Sequence, residues 1–128
     1  MDNRINSFQD LNVYKKAFEL QQAVFEISKG FPTEEKYSLT DQIRRSSRSV
    51  GANIAESWQK RRYIAHFVSK LTDSDGENTE TEHWIETAFA CGYISDEQRT
   101  HLLTLRKQIG KMLGSMPSHP EVFCKTVK

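Results

Sequence analysis

No proline interrupts the chain between Pro32 and Pro117. A proline inside a helix removes a backbone hydrogen bond and clashes with the preceding turn, so long proline-free stretches suit helices. The stretch shows no apolar–polar alternation bounded by turn residues, and an all-α fold is the expectation. One part of it also constrains packing. Positions 67, 71, 74, 78, 81, 85, 88 and 92 read Phe, Leu, Ser, Asn, Thr, Ile, Ala and Gly. The steps alternate four and three, the period of a helix that meets a partner along a seam. Both ends of this seam are apolar, and its middle, Ser74, Asn78 and Thr81, is small and polar.

Four helical segments follow from the same reading. The first covers about 11–29, with Val13, Ala17, Leu20, Val24 and Ile27 on one face. Tyr14, Phe18 and Phe25 form a second stripe beside it. The combined face is wider than one packing seam uses, which points to these three aromatics as a contact with another copy of the chain. Gly30 and Pro32 end the segment, and the polar stretch Thr33 to Lys36 follows. The second segment covers about 39–61, with Leu39, Ile43, Val50, Ile54 and Trp58 in its stripe. Gly51 inside it costs about 1 kcal/mol relative to alanine, and close helix packing is the expected compensation. The third covers about 63–91 and stops at Gly92. The fourth covers about 96–114, opened by the capping box Ser95 to Gln98, with Leu102, Leu105, Ile109, Met112 and Met116 as its stripe. In the tail, 117–128, Val122 and Phe123 are available to dock back. Short connections favour antiparallel neighbours, so an up-down-up-down four-helix bundle in one domain over 1–128 is the simplest assembly.

Composition serves mainly to exclude. Two cysteines, Cys91 and Cys124, make no disulfide framework. No basic start leads into an apolar run, and no apolar run is long enough for a membrane, so a cytoplasmic protein is expected. The formal net charge of +1 conceals two opposed segments. Between Lys36 and Arg62 the bases are Lys36, Arg44, Arg45, Arg48, Lys60, Arg61 and Arg62, against the acids Asp41 and Glu56. Between Asp73 and Glu86 the acids are Asp73, Asp75, Glu77, Glu80, Glu82 and Glu86, with no lysine or arginine. Arg44 and Arg48 share one helix face, and Lys60, Arg61 and Arg62 cluster between Trp58 and Tyr63. A basic face of this kind tracks phosphates, which makes these five residues candidates for contacts to RNA or DNA. The rival reading is a protein-interaction scaffold. In it the acidic third helix pairs with the basic second, within or between chains, and Asp41 pairs with Arg45 four residues on.

The acidic stretch raises metal chemistry as a third class. With Gly76 at the sixth position of a calcium loop, Asp73, Asp75 and Glu82 fall where ligands belong, but the first position is Leu71, which has no side-chain oxygen. Glu80 and His83 form one Glu-x-x-His step, whereas a di-iron bundle needs two such steps and two further glutamates. Cys91 sits at a helix C-terminus, where the dipole disfavours a thiolate, and reads as a buried small apolar residue. Ser46, Ser47 and Ser49 have no nearby histidine. No catalytic residue, metal or cofactor is expected, and a metal-dependent enzyme is the least supported class.

At "DQIRRSSRSVGANIAESWQKRR" the chain resembles the small proteins encoded within intervening sequences of bacterial 23S ribosomal RNA genes. The residues that carry the likeness are Leu39, Gln42, Ile43, Arg44, Arg45, Ser46, Ser49, Val50, Asn53, Ile54, Ala55 and Glu56. Gly76, Glu80, Glu82, Ala88, Gly92, Tyr93 and Ile94 continue it. The chain departs from the family pattern at Glu77, where a serine is usual, and at Ser57, where a glycine is usual. The likeness spans about Phe8 to Met116. It implies a left-handed four-helix bundle and a homo-oligomer, a pentamer. A related accessory protein of diversity-generating retroelements binds nucleic acid and a reverse transcriptase, so RNA, DNA or a nucleic-acid enzyme is the implied partner. The likeness implies no catalytic residues. It places the acidic stretch in the middle of the third helix, with Ser74, Asn78 and Thr81 facing Ser46 and Asn53 of the second. Asn53 is then expected to be buried in this polar layer, with Asn78, Glu80 or Thr81 as its partner.

Overall fold

The computed structural model describes residues 5–124. A 3₁₀ turn, Phe8–Asp10, opens it. The Asp10 carboxylate accepts from the backbone amides of Asn6 (2.9 Å) and Ser7 (3.2 Å), donors that the turn leaves free. Helix α1 runs Asn12–Ser28. The polar stretch after Pro32 is itself helical: a 3₁₀ turn, Thr33–Glu35, passes into a π turn, Lys36–Thr40, and on into α2, Asp41–Gln59. The chain turns through residues 60–63, and α3 runs Ile64–Ala90. Helix α4 spans Asp96–Ser115, followed by a 3₁₀ turn, Met116–Ser118, and the single-turn helix α5, Pro120–Phe123.

The four long helices close a ring. Each packs against its neighbour in sequence and α1 returns to α4, with the closest association between α2 and α3. Cross-helix bonds fix their direction. Ser46 meets Thr81 and Val50 meets Ser74, so residue numbers rise along α2 as they fall along α3. Glu86 meets Arg99 and Asn78 meets Arg106, which makes α3 and α4 antiparallel. Ser28 meets Arg44 while Tyr14 and Ala17 lie beside Gly51, which does the same for α1 and α2.

The core follows the stripes, with departures at their ends. In α3 every seam position from Phe67 to Ala88 is buried. Leu39 in the π turn and Ile43, Val50, Ile54 and Trp58 in α2 are buried as the spacing predicts. Each such large side chain removed from water contributes about 1.5–3 kcal/mol. In α1 the buried position after Val24 is Ser28 rather than Ile27, and in α4 it is Leu113 rather than Met112. Both shifts extend a four-residue step where the sequence offered three, because a straight helix turns every 3.6 residues and drifts off a fixed seam. Gly92 closes α3 at φ 79°, a backbone region that favours glycine. Its neighbour Cys91 is exposed, not buried. The Tyr93 amide bonds back to the Ala88 carbonyl (2.9 Å), and Cys91 lies on the outside of that closing loop. Gly51 is less constrained than its position suggested. A Cβ there would meet Tyr14 at 3.5 Å, an ordinary contact. In the tail, Phe123 stacks on Phe67 with ring centroids 5.8 Å apart, while Val122 is exposed.

Candidate functional site

The middle of the α3 seam forms a buried polar layer. Ser46, Ser74, Asn78 and Thr81 are all 0% exposed. The Ser74 hydroxyl donates to the Val50 carbonyl (2.8 Å), and the Thr81 hydroxyl lies 2.8 Å from that of Ser46. Asn78 turns the other way: its Nδ2 donates to the Arg106 carbonyl on α4 (3.0 Å). Asn78 Oδ1 is buried and finds no donor among the described residues. Buried hydroxyls and amides of this kind must be matched across helices, and that matching fixes register.

Two residues expected in the layer lie outside it. Asn53 is half-buried at the rim of α2. Its Nδ2 donates to the Ser49 carbonyl of its own helix (2.9 Å), and its Oδ1 accepts from Lys70 Nζ (3.5 Å). Its neighbour Ile54 takes the core direction, and one residue of helix rotation carries Asn53 about 100° away from it. Glu80 is at the surface. Its carboxylate accepts from the Trp84 indole N–H (3.0 Å) and pairs with Arg45. These bonds, Trp84's first, hold the Glu80 carboxyl below its ordinary range, and the Glu80 bond chiefly raises Arg45.

The acidic stretch is neutralised largely from within. Arg45 bonds Glu77 (3.3 Å) as well as Glu80, and does not pair with Asp41 among the described residues. Lys70 bridges Glu56 (3.0 Å) and Asp73 (3.7 Å). Arg106 meets Glu82 (3.2 Å), and Arg99 meets Glu86 (2.8 Å). Sequence reasoning missed the last two because α4 carried no visible basic cluster. Their register against α3 was the available signal. His83 packs edge-on against Trp84 at 4.7 Å, and no group of three or more His, Cys, Asp or Glu with metal-binding geometry forms among the described residues.

The five candidate cations divide into two groups. Arg44 and Arg48 lie on the outer face of α2, lining an open groove of about 470 Å³ with Asp41, Arg45, Ser49 and Ala52. Both guanidinium groups lie over the Phe25 ring of α1, at 4.8 and 5.6 Å from its centroid. Arg44 Nε also donates to the buried Ser28 hydroxyl (2.7 Å). Phe25 is therefore a half-buried support for two arginines, whereas Tyr14 and the exposed Phe18 form a separate string with Phe8. Lys60, Arg61 and Arg62 lie in the α2–α3 turn, about 24 Å along the helix axis from Arg44 at 1.5 Å per residue. Arg61 folds back, its Nε on the Trp58 carbonyl (2.7 Å) and its guanidinium over the Trp58 ring at 3.4 Å.

These features define an antiparallel four-helix bundle with a polar seam at its centre and cations on the outer face and end of α2. Residues 9–115 match the family of the 23S rRNA-intervening sequence protein, and the chain belongs to that family. A crystal structure of a protein of unknown function from the S23 ribosomal protein family of Bacteroides thetaiotaomicron is similar. The two share 31% identity over 83% of this chain and 95% of that one, with a TM-score of 0.74. Comparison with curated proteins finds no match. No helix among the described residues is long and apolar enough to cross a membrane.

Proposed function

We propose that the protein is a non-enzymatic homo-oligomer, a pentamer, that binds the phosphate backbone of RNA or DNA through the outer face of α2. One observation carries this reading. Arg44 and Arg48 stand side by side with no carboxylate in ion-pair range among the described residues, while Arg45, Lys70, Arg99 and Arg106 are each engaged by acids. A ring beneath a guanidinium orients it without neutralising it. Arg44's terminal nitrogens carry no hydrogen bond among the described residues, and a planar fork of this kind matches phosphate oxygens. The exposed Phe18 and the half-buried Tyr14 supply the apolar contact between copies. An oligomer repeats the cationic face, and linked weak contacts gain avidity.

The test is an electrophoretic shift series across structured RNA, single strands and duplex DNA, with light scattering on the same sample. Binding should weaken steeply with salt and show little sequence preference. The variant Arg44→Gln/Arg48→Gln should bind all of them more weakly and with a shallower salt slope. If the parent binds none of them at low salt, or the double variant binds like the parent, the reading fails and the scaffold takes its place. A monomer at micromolar concentration refutes the oligomer.

A further inference from the structure

The turn between α2 and α3 has a composition that the backbone-binding reading leaves unused. Tyr63 is 57% exposed and Ile64 53%, two large apolar side chains held in water at one tip of the bundle. The backbone beneath them is fixed. The Tyr63 amide donates to the Lys60 carbonyl (3.1 Å), and the Tyr63 carbonyl accepts from the amide of Phe67 (3.0 Å), whose ring is buried in the core. Tyr63 is thus anchored through its main chain while its ring stands out.

The groups around the ring are polar or cationic. The His66 imidazole lies 5.3 Å from it, inclined at 53°, and the Arg62 guanidinium lies 5.9 Å away. Lys60 and Arg62 are exposed and make no ion pair among the described residues. The nearest acid in sequence, Glu56, is held by Lys70. The nearby aromatic at the end of α2, Trp58, is buried and covered by Arg61, so Tyr63 is the accessible ring of the turn. An exposed aromatic face among uncompensated cations fits an anionic partner that also carries flat apolar surfaces. Single-stranded nucleic acid has both, and a duplex hides its base faces.

We infer that this turn is a stacking platform for an unpaired nucleotide base. Tyr63 lies under the base, Ile64 borders it, and Lys60 and Arg62 meet the flanking phosphates. The inference rests on the proposal that the chain binds nucleic acid, and it adds the class: single-stranded or locally unpaired. It also gives the cations at the two ends of α2 different tasks, with Arg44 and Arg48 reading charge alone.

Fluorescence anisotropy with three probes of equal length separates the two readings: an oligothymidylate strand, an abasic phosphodiester strand and a duplex. The oligothymidylate should bind more tightly than the abasic strand. Tyr63→Leu should weaken oligothymidylate binding about tenfold, the scale of one lost stacking contact, and leave the abasic strand unchanged. Tyr63→Phe should retain the parent affinity. Lys60→Gln/Arg62→Gln should weaken both strands. If Tyr63→Leu binds oligothymidylate like the parent, the platform is refuted while backbone binding stands. If none of the three probes binds at low salt, both readings fall. Binding to anionic phospholipid vesicles in that case would assign the turn to a membrane surface.

Discussion

Asn78 makes a prediction whose sign runs against intuition. It is fully buried, it lies in the polar layer, and replacing such a residue by leucine normally suggests damage. The structure argues otherwise. Asn78 forms one cross-helix bond, Nδ2 to the Arg106 carbonyl, and losing it costs about 1 kcal/mol. Arg106 lies inside α4, where its carbonyl keeps a helical partner, so nothing there is orphaned. Against that stands Oδ1, buried with no donor among the described residues, a burden of about 1–3 kcal/mol that the substitution removes. Leucine has the same γ-branched outline but bulkier ends. Gly110 faces the site, where even an added Cβ would lie 3.4 Å from Asn78 Nδ2, so overpacking is limited and is set at about 1 kcal/mol. Added apolar burial returns about as much. Asn78→Leu should therefore leave stability unchanged or raise it by up to about 2 kcal/mol. Urea unfolding followed by far-UV circular dichroism, at fixed protein concentration, reads this as an equal or higher midpoint with an unchanged slope. Asn53→Leu is the control. At that half-buried rim position it should change stability by less than about 0.5 kcal/mol. A loss above about 1 kcal/mol in Asn78→Leu, with its slope unchanged, would falsify the account of Oδ1.

Further predictions concern the helix surfaces and the ion pairs. Gly76 lies within α3 with nothing near its Cβ position, so Gly76→Ala should stabilise by about 0.5–1 kcal/mol through helix propensity alone, read as a higher melting temperature. The Tyr93 hydroxyl donates to Glu35 (2.7 Å), and this bond chiefly pushes its pKa up to about 12. Its contribution is complete below the ordinary tyrosine value and is lost as pH rises through about 12. Spectrophotometric titration should show a late phenolate step that Tyr93→Phe abolishes. The Glu86 carboxyl is held below its ordinary value by Arg99, so its contribution is present above that value and is lost as pH falls through the depressed one. Arg99→Gln should flatten the acid limb of a stability–pH profile, and an unchanged limb would show the pair to be idle.

The seam of α3 was legible because it recurs at a fixed period from Phe67 to Ala88, long enough for chance to be excluded by repetition. The start of α4 was legible because a capping box is local: Ser95 Oγ accepts from the Gln98 amide (3.0 Å) and Gln98 Oε1 from the Ser95 amide (2.9 Å). What failed depends on how one helix is rotated against another. Asn78 was placed inward by the α3 period itself, whereas Asn53 lies one residue off the α2 stripe through Ile54, and its burial was expected from the family resemblance rather than from spacing. The exchange of Met112 for Leu113 is a difference of one position, within the drift between a 3.5 repeat and a 3.6-residue turn. The helical path from Thr33 to Thr40 was hidden because its 3₁₀ and π turns have no apolar period of their own.

The same register explains why a chain of net charge +1 keeps a cationic outer face. Antiparallel packing sets Arg45 against Glu77 and Glu80, Glu56 against Lys70, Glu82 against Arg106 and Glu86 against Arg99, each across a helix boundary. Those charges meet because the helices that bear them meet. Arg44 and Arg48 lie on the side of α2 that turns toward α1, and α1 offers them Phe25 and the Ser28 hydroxyl instead of a carboxylate. An aromatic ring and a hydroxyl can hold a guanidinium in place but cannot cancel its charge. The acidic segment of α3 is consequently compensated from α2, from α4 and from Lys70 on α3 itself, while Arg44 and Arg48 on α2 stay uncompensated among the described residues, supported by α1 from below. Scaffold and nucleic-acid readings thus share one architecture. They differ only in what approaches that face from solvent.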